Sequence, residues 1–454
     1  MHYVVPSKTF FHRVVSLFLL IWFSNASGQT FQKLPDSTST RQPKKILAVI
    51  VQGNEKTKEK IILREMKLKV GDQFDQLQAE RDRLRIQNLG IFNRVEMDMV
   101  PTNHGVILVV TVSEMWYIFP YPIIFRNERD WDRISIGAGV LHNNFRGHRE
   151  VIDFSFWLGF NPSVRLRYTN PWIFGKLKFY TSVSVFARKV RNLTFTAIDS
   201  SVNENQIGFN WRIGKRFGHF TYLDLNLGYK QLTFSEDVTG QTLSTSGKDR
   251  LPHVGFSFTY DKRDLWEYPH SGHYINIWAR KTGWFGNTVD YLRYGADVRK
   301  YVPIGPTTLA FRGATNLSAG TIPVYDQVHF GFSTRIRGHF SERHSGENRL
   351  IGSAAFRFPI RKISYHDFGP FQSMGRYGSN FRFGVSGALF VDTGAVWGQN
   401  SGFGRDDTLE LDDFISGWGA GLHFFLPYMN ILRLEYGFNE NWDGQFIVDL
   451  FAFF

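Results

Sequence analysis

The chain has 454 residues, a formal net charge of +12 and no cysteine, which excludes disulfides, thiolate metal centres and an N-terminal lipid-modified cysteine. Aromatic residues make up 16% of it, with 44 Phe, 18 Tyr and 12 Trp, yet the mean hydropathy is slightly negative. Beyond the N-terminal segment no stretch approaches the ~18 consecutive apolar residues of a membrane-spanning helix, and the positive charge is spread along the chain, which argues against a nucleic-acid partner.

Lys8, His12 and Arg13 precede an apolar run from Val14 to Phe23. Such a run of about ten residues is too short to cross a ~30 Å hydrocarbon core as a helix. Ala26-Ser27-Gly28 then offers small residues for cleavage before Gln29. Residues 1–28 therefore read as a secretory signal peptide, and the polar residues 29–43 as a linker.

A small α+β domain is expected over residues 44–115. Ile46 to Val51 reads as a strand closed by Gly53-Asn54. Thr57 is placed to cap a first helix, whose apolar stripe is Ile61, Ile62, Met66 and Leu68. Gly71-Asp72 breaks it, a second helix runs from about Asp75 to Asn88, and Arg94–Val100 and Val106–Val112 form a hairpin. The predicted order is strand, helix, helix, strand, strand.

Residues 116–454 hold sixteen alternating runs, beginning near Trp116, Arg133, Glu150, Pro162, Leu177, Asn205, Phe220, His253, Gly272, Asp290, Thr307, Asn348, Asn380, Ile415, Asn430 and Gln445. That leaves roughly 21 residues for each strand and its connection, enough for the ~9–11 that cross a bilayer. Leu223, Leu225, Leu227 and Tyr229 would face lipid, with Asp224, Asn226 and Lys230 in the lumen. Val164, Leu166 and Tyr168 likewise oppose Arg165 and Arg167. A bilayer forbids an open sheet edge, so such a set must close. The fold class is a transmembrane antiparallel β-barrel of 16 strands with an N-terminal periplasmic α+β domain. Composition alone is equally compatible with a secreted β-sandwich or propeller.

Two segments stand out within this region. Arg335-Ile336-Arg337-Gly338-His339-Phe340 lies in a long connection from about Thr321 to Glu347, between the eleventh and twelfth strands. Phe390-Val391-Asp392-Thr393-Gly394 ends an alternating run in which Arg382, Gly384, Ser386, Ala388 and Asp392 share one face. That period of two points Asp392 into the lumen. Arg337 is a permanent cation with a planar fork of donors, and Asp392 is a matching acceptor. In a partly wet lumen such a pair is worth ~1–4 kcal/mol, enough to bias a loop inward. The alternative is two unrelated charges in separate turns.

These segments together resemble the Arg-Gly-aromatic loop and Phe-x-Asp-x-Gly strand of the bacterial surface antigen family, the assembly and translocation superfamily that includes BamA and TamA. Val51-x-Gly53-Asn54-x-x-Thr57, Leu63-Arg64-Glu65, Gly71-Asp72 and Gly90-Ile91-Phe92 are similar to one polypeptide-transport-associated (POTRA) domain. Tyr260-Asp261-x-Arg263-Asp264 with Pro269-x-x-Gly272, then Gly417-x-Gly419-x-Gly421 and Leu432 to Gly437, match later parts of the family pattern.

The resemblance implies a non-enzymatic protein of a Gram-negative outer membrane, with its POTRA domain in the periplasm. It would insert outer-membrane proteins or translocate polypeptides. Arg337, Gly338, Asp392 and Gly394 would lock the loop. Arg94, Val95, Met97 and Met99 would offer a sheet edge to client strands. Pro120 and Pro122, on the first strand, and Phe454, on the last, would mark a weak closing seam. Implied partners are unfolded or nascent outer-membrane polypeptides, outer-membrane lipid and periplasmic accessory proteins. No nucleic acid, cofactor or metal is implied, since the fourteen His are scattered and no hydrolase or phosphate-binding motif occurs. A dedicated secretion channel and a passive or lipid-handling pore are the alternatives. His339 departs from the family pattern by standing where an aromatic is usual, with Phe340 one residue later. A single POTRA domain is also a departure, and the stretch Arg361–Ser379 is long for a periplasmic turn.

Overall fold

The structure, a computed structural model, describes residues 44–126, 134–191, 203–234, 242–284, 288–331, 334–339, 342, 344–367, 377–398, 408–428 and 431–449. The expected signal peptide and linker, Phe340 and Phe454 lie outside the described residues.

The N-terminal domain runs β1 (Ile46–Gln52), α1 (Glu59–Leu63), α2 (Gln76–Gln87), β2 (Phe92–Pro101) and β3 (Val106–Glu114). β3 is the middle strand, parallel to β1 and antiparallel to β2. Its alternation is strict, so Val106, Leu108, Val110 and Val112 all point inward. They pack on Ile61 and Ile62 of α1, Ile86 of α2, and Phe92 and Val95 of β2. Asp75 caps α2 by accepting from the Leu77 N–H at 2.9 Å. The buried Asp82 carboxylate accepts from the Lys67 and Leu68 N–H groups, both at 2.9 Å, and so pins the segment after α1 to α2. The first cap differs from expectation. Lys58 occupies that position with no side-chain cap, because Thr57 is buried and committed elsewhere.

The second region is a single antiparallel sheet of sixteen strands in which each strand is paired with the next in sequence. It opens with β4 (Ile118–Arg126), β5 (Ile134–Phe145), β6 (Glu150–Gly159), β7 (Ser163–Ile173) and β8 (Phe179–Arg191). β9 (Asn203–Phe217), β10 (Thr221–Phe234), β11 (Lys248–Asp261), β12 (Gly272–Thr282), β13 (Tyr291–Ile304) and β14 (Thr307–Gly320) follow. A two-stranded ribbon of β15 (Val328–Phe330) and β16 (His344–Gly346) interrupts the series. β17 (Asn348–His366), β18 (Phe381–Trp397), β19 (Phe414–Phe425), β20 (Leu432–Asn439) and β21 (Gly444–Asp449) complete it.

Period-two alternation separates the two faces. On β6, Phe154, Phe156 and Leu158 are exposed while Asp153 and Ser155 are buried. Asp153 is paired with Arg165 and Arg167 of the neighbouring strand. On β10, Leu223 is exposed, and Asp224 accepts from Ser257 at 3.0 Å and from Tyr180. An apolar band thus faces outward and a hydrogen-bonded polar layer inward, the arrangement of a membrane barrel. Among the described residues no helix is long and apolar enough to cross a membrane.

The N-terminal domain meets one end of the barrel. Glu65 receives a forked pair from Arg216, at the end of β9, at 2.9 and 2.6 Å. Asn88 exchanges bonds with the β11–β12 turn, donating to the Asp264 carbonyl and accepting from the Trp266 N–H, both at 2.9 Å. Lys58 N–H donates to the Gly147 carbonyl at 3.0 Å in the β5–β6 turn, and Arg149 donates to the Leu89 carbonyl at 2.7 Å. Thr57 is fixed here, taking a bond from Asn144 at 2.9 Å. β17 and β18 also extend to this domain: Arg94 lies over the Tyr365 ring at 4.8 Å and reaches Asn380 at 3.3 Å. β17 runs on to His366 and so takes in the start of the long Arg361–Ser379 stretch, of which residues 368–376 lie outside the described residues.

Candidate functional site: the loop inside the barrel

The β14–β17 connection, residues 321–347, leaves the end of the barrel opposite the N-terminal domain and folds back inside. Its tip carries Arg337, which is 7% exposed. Arg337 Nε donates to Asp392 Oδ2 at 2.6 Å and Nη2 to Oδ1 at 2.7 Å, a bidentate fork. The Arg337 backbone N–H adds a third bond to Oδ2 at 3.1 Å. Nη1 donates to Glu435 Oε1 of β20 at 3.1 Å. The guanidinium also lies 3.7 Å from the centre of the Phe390 ring. One cation is therefore held by two carboxylates and an aromatic face, on β18 and β20.

The backbone around Arg337 sits against the wall because the wall is bare there. A Cβ on Gly417 of β19 would lie 1.7 Å from the Arg337 carbonyl oxygen. Gly338 adopts φ +106°, and a Cβ on it would come 2.4 Å from the Phe438 carbonyl oxygen. Gly394 leaves room for Phe330 and Ile336, which pack with Ile351 into a small lumenal core. Only glycine permits this approach.

The loop has a second anchorage on the opposite part of the sheet. Asp326 lies 3.6 Å from Lys230, 3.6 Å from Arg280 and 3.7 Å from Arg293, and accepts from the Tyr291 hydroxyl at 2.6 Å. Tyr325 donates to Asp249 at 2.7 Å. The loop therefore bridges the lumen, with Tyr325-Asp326 held by β10–β13 and the tip held by β18–β20. Arg335 adds a bond to Asp449 of β21.

The structure thus brings Arg337, Gly338, Asp392 and Gly394 together. Four partners were missed in the sequence: Glu435, Phe390, Asp326 and Gly417 in its specific contact. Gly417 had only appeared as part of a glycine series. Glu435 is 98 positions from Arg337, and no local pattern joins them.

The other expected residues are placed separately. Val95 and Met97 belong to the core side of β2, and Met99 is exposed. Arg94 is engaged by the barrel, so the open part of the β2 edge begins beyond it. Pro120 and Pro122 lie on β4, opposite Val140 and Ala138 of β5. Among the described residues, no ladder joins β4 to β21. Near that junction Phe119 and Tyr428 contact each other with ring centres 5.9 Å apart.

The fold and this site define an outer-membrane β-barrel with a periplasmic α+β domain and a loop docked inside its lumen. The Omp85 superfamily domain matches residues 144–451, and the surface antigen variable number repeat, the POTRA family, matches residues 44–115. The chain belongs to the Omp85 superfamily. It is 23% identical over 431 residues to the outer membrane protein assembly factor BamA of Nitratidesulfovibrio vulgaris, covering 89% of this chain and 50% of that protein. It is 23% identical over 433 residues to the chloroplastic outer envelope protein 80 of Arabidopsis thaliana, covering 86% and 53%. The chain spans about half the length of these curated relatives. Among solved structures, BamA from Haemophilus ducreyi lacking POTRA domains 1–3 superposes with a TM-score of 0.52 at 17% identity, over 91% of this chain and 84% of that one. CdiB from Acinetobacter baumannii gives 0.51 at 14%, over 87% and 70%.

Proposed function

We propose that the protein assembles polypeptides into the outer membrane, capturing client strands first at the β2 edge and then at the β4–β21 seam. The observation that carries this reading is β4. It pairs only with β5 among the described residues, and its two prolines have no N–H to give a ladder. An edge of this kind is weakly committed to its own sheet and open to strand addition. The relative named as an outer membrane protein assembly factor supports the same reading.

The lumenal bridge favours a second reading, a dedicated secretion channel in which the loop is a movable plug. Both anchorages are built of ion pairs, which can be exchanged for water. Depletion followed by outer-membrane proteomics separates the two. Broad loss of barrel proteins is the outcome of assembly, and loss of one exported protein is that of secretion. A disulfide engineered between β4 and β21, in this cysteine-free chain, tests the seam itself. Assembly that continues unimpaired with the seam closed would sink strand capture there.

A further inference from the structure

Beyond the docked Arg337-Gly338 pair, the loop tip gathers a second cluster that docking does not use. The chain turns after His339, with Glu342 N–H donating to the His339 carbonyl at 3.2 Å, and His344 opens β16. Glu342 Oε2 lies 2.8 Å from His339 Nδ1 and 3.0 Å from His344 Nε2. One donor atom from each of the three residues lies within 4.8 Å of the other two. The two imidazole rings are 6.0 Å apart and inclined at 78°, so they converge rather than stack.

The far side of His339 gives the second observation. Its Nε2 faces Glu440 Oε2 at 2.6 Å and the Ser416 carbonyl oxygen at 3.1 Å. Both neighbours are acceptors, so Nε2 carries a proton. Nδ1 faces a Glu342 carboxylate oxygen at 2.8 Å, the place where a cation would replace its proton and take the lone pair. A carboxylate or carbonyl holding the outer nitrogen is the usual support for a metal-ligating histidine, fixing both tautomer and ring direction. His339 is only 4% exposed, while Glu342 and His344 are partly open to solvent.

We infer that His339, Glu342 and His344 bind a zinc-class divalent cation, with water in the remaining position. Two imidazoles and one carboxylate match the ligand set of zinc, whereas calcium and magnesium favour all-oxygen sites. Zinc bonds of roughly 2.0–2.2 Å require donor separations only a few tenths of an ångström wider than the two contacts to Glu342, at 2.8 and 3.0 Å. The cation therefore joins β16 to the loop tip and, through Glu440, to the β20–β21 turn. The histidine that replaces the usual aromatic after Arg337-Gly338 acquires a chemical reason.

The test uses the full chain folded in detergent, stripped with chelator, equilibrated with zinc and desalted before elemental analysis. One zinc per chain is expected for the wild type, and cobalt in its place should give the visible bands of a four-coordinate nitrogen–oxygen site. His344→Ala and the near-isosteric Glu342→Gln should each lose the metal, and Glu440→Gln should bind it ~10–100-fold more weakly. His104→Ala, on the exposed surface of the POTRA domain, should bind as the wild type does. Heat-modifiable migration on gels reports barrel folding for every variant. Absence of zinc from the folded wild type overturns the inference. So does one equivalent bound equally by folded His344→Ala and Glu342→Gln.

Discussion

Gly417 of β19 and Arg337 of the loop tip are in direct backbone contact inside the barrel: a single added carbon on Gly417 would fall 1.7 Å from the Arg337 carbonyl oxygen. The contact is backbone to backbone, so neither side can swing away as a flexible side chain would. Gly417→Val should therefore lift the loop tip while leaving every charge in place. The expected result is a folded barrel whose loop is cut by external protease at a rate close to that of Arg337→Ala. Wild-type resistance in Gly417→Val would show that the tip is not seated as described.

Arg337 and Asp392 are not equivalent partners, because Glu435 shares the cation. Arg337→Ala strands the buried Asp392 carboxylate and leaves Glu435, among the described residues, with His423 alone at 3.2 Å, and removing one partner of a buried pair costs about 3–5 kcal/mol. Asp392→Ala leaves Arg337 with Glu435 and the Phe390 face, so its effect should be smaller. The double variant should resemble Arg337→Ala, since the lost interaction is shared. Protease susceptibility and single-channel noise measure the series. Additive losses would mean that the two residues act independently.

Much of this architecture was legible in the chain. Strand starts expected at Glu150, Gly272, Thr307 and Asn348 coincide with those of β6, β12, β14 and β17, because alternation against lipid is a strong signal. The exceptions have physical causes. β11 begins at Lys248, five residues before His253, since Pro252 reads as a breaker yet is accommodated in the ladder opposite Tyr229. Pro359 is accommodated beside a register shift between β17 and β18. The Arg337–Asp392 pair was legible because the parity of β18 fixes where Asp392 points. Glu435, Asp326 and the His339 cluster were not, because each depends on where a long loop lands. Period-two patterning stops at a strand end and carries no information about that.

The Asp326 anchorage should behave as a second, separate tether. Asp326→Asn keeps the size of the side chain but leaves Lys230, Arg280 and Arg293 without their shared carboxylate. The proximal part of the loop should become accessible while the Arg337 tip stays docked. Because the two anchorages share no partner, Asp326→Asn combined with Arg337→Ala should give the sum of the separate increases in conductance. A combined effect no larger than the stronger single change would mean that the loop undocks as one unit.

The junction between the POTRA domain and the barrel should loosen only in acid. Burial pushes the Glu65 carboxyl upward, but hydrogen bonds from Arg216 and the charges of Arg216, Arg64 and Arg149 outweigh it and hold the group below its usual 4.5. A carboxyl depressed in the folded state stabilises that state above its unfolded value, and the contribution is lost as pH falls through the folded one. The junction should thus be unchanged from pH 7 down to about 5 and should loosen below about 4. Spin labels on His104→Cys and Lys176→Cys, both exposed, would follow the distance between the two domains. Glu65→Gln leaves three arginines facing one another, so its distance distribution should already be broad at pH 7 and respond little to acid. Broadening of the wild type that begins above about pH 5 would assign the transition to another group, such as a histidine.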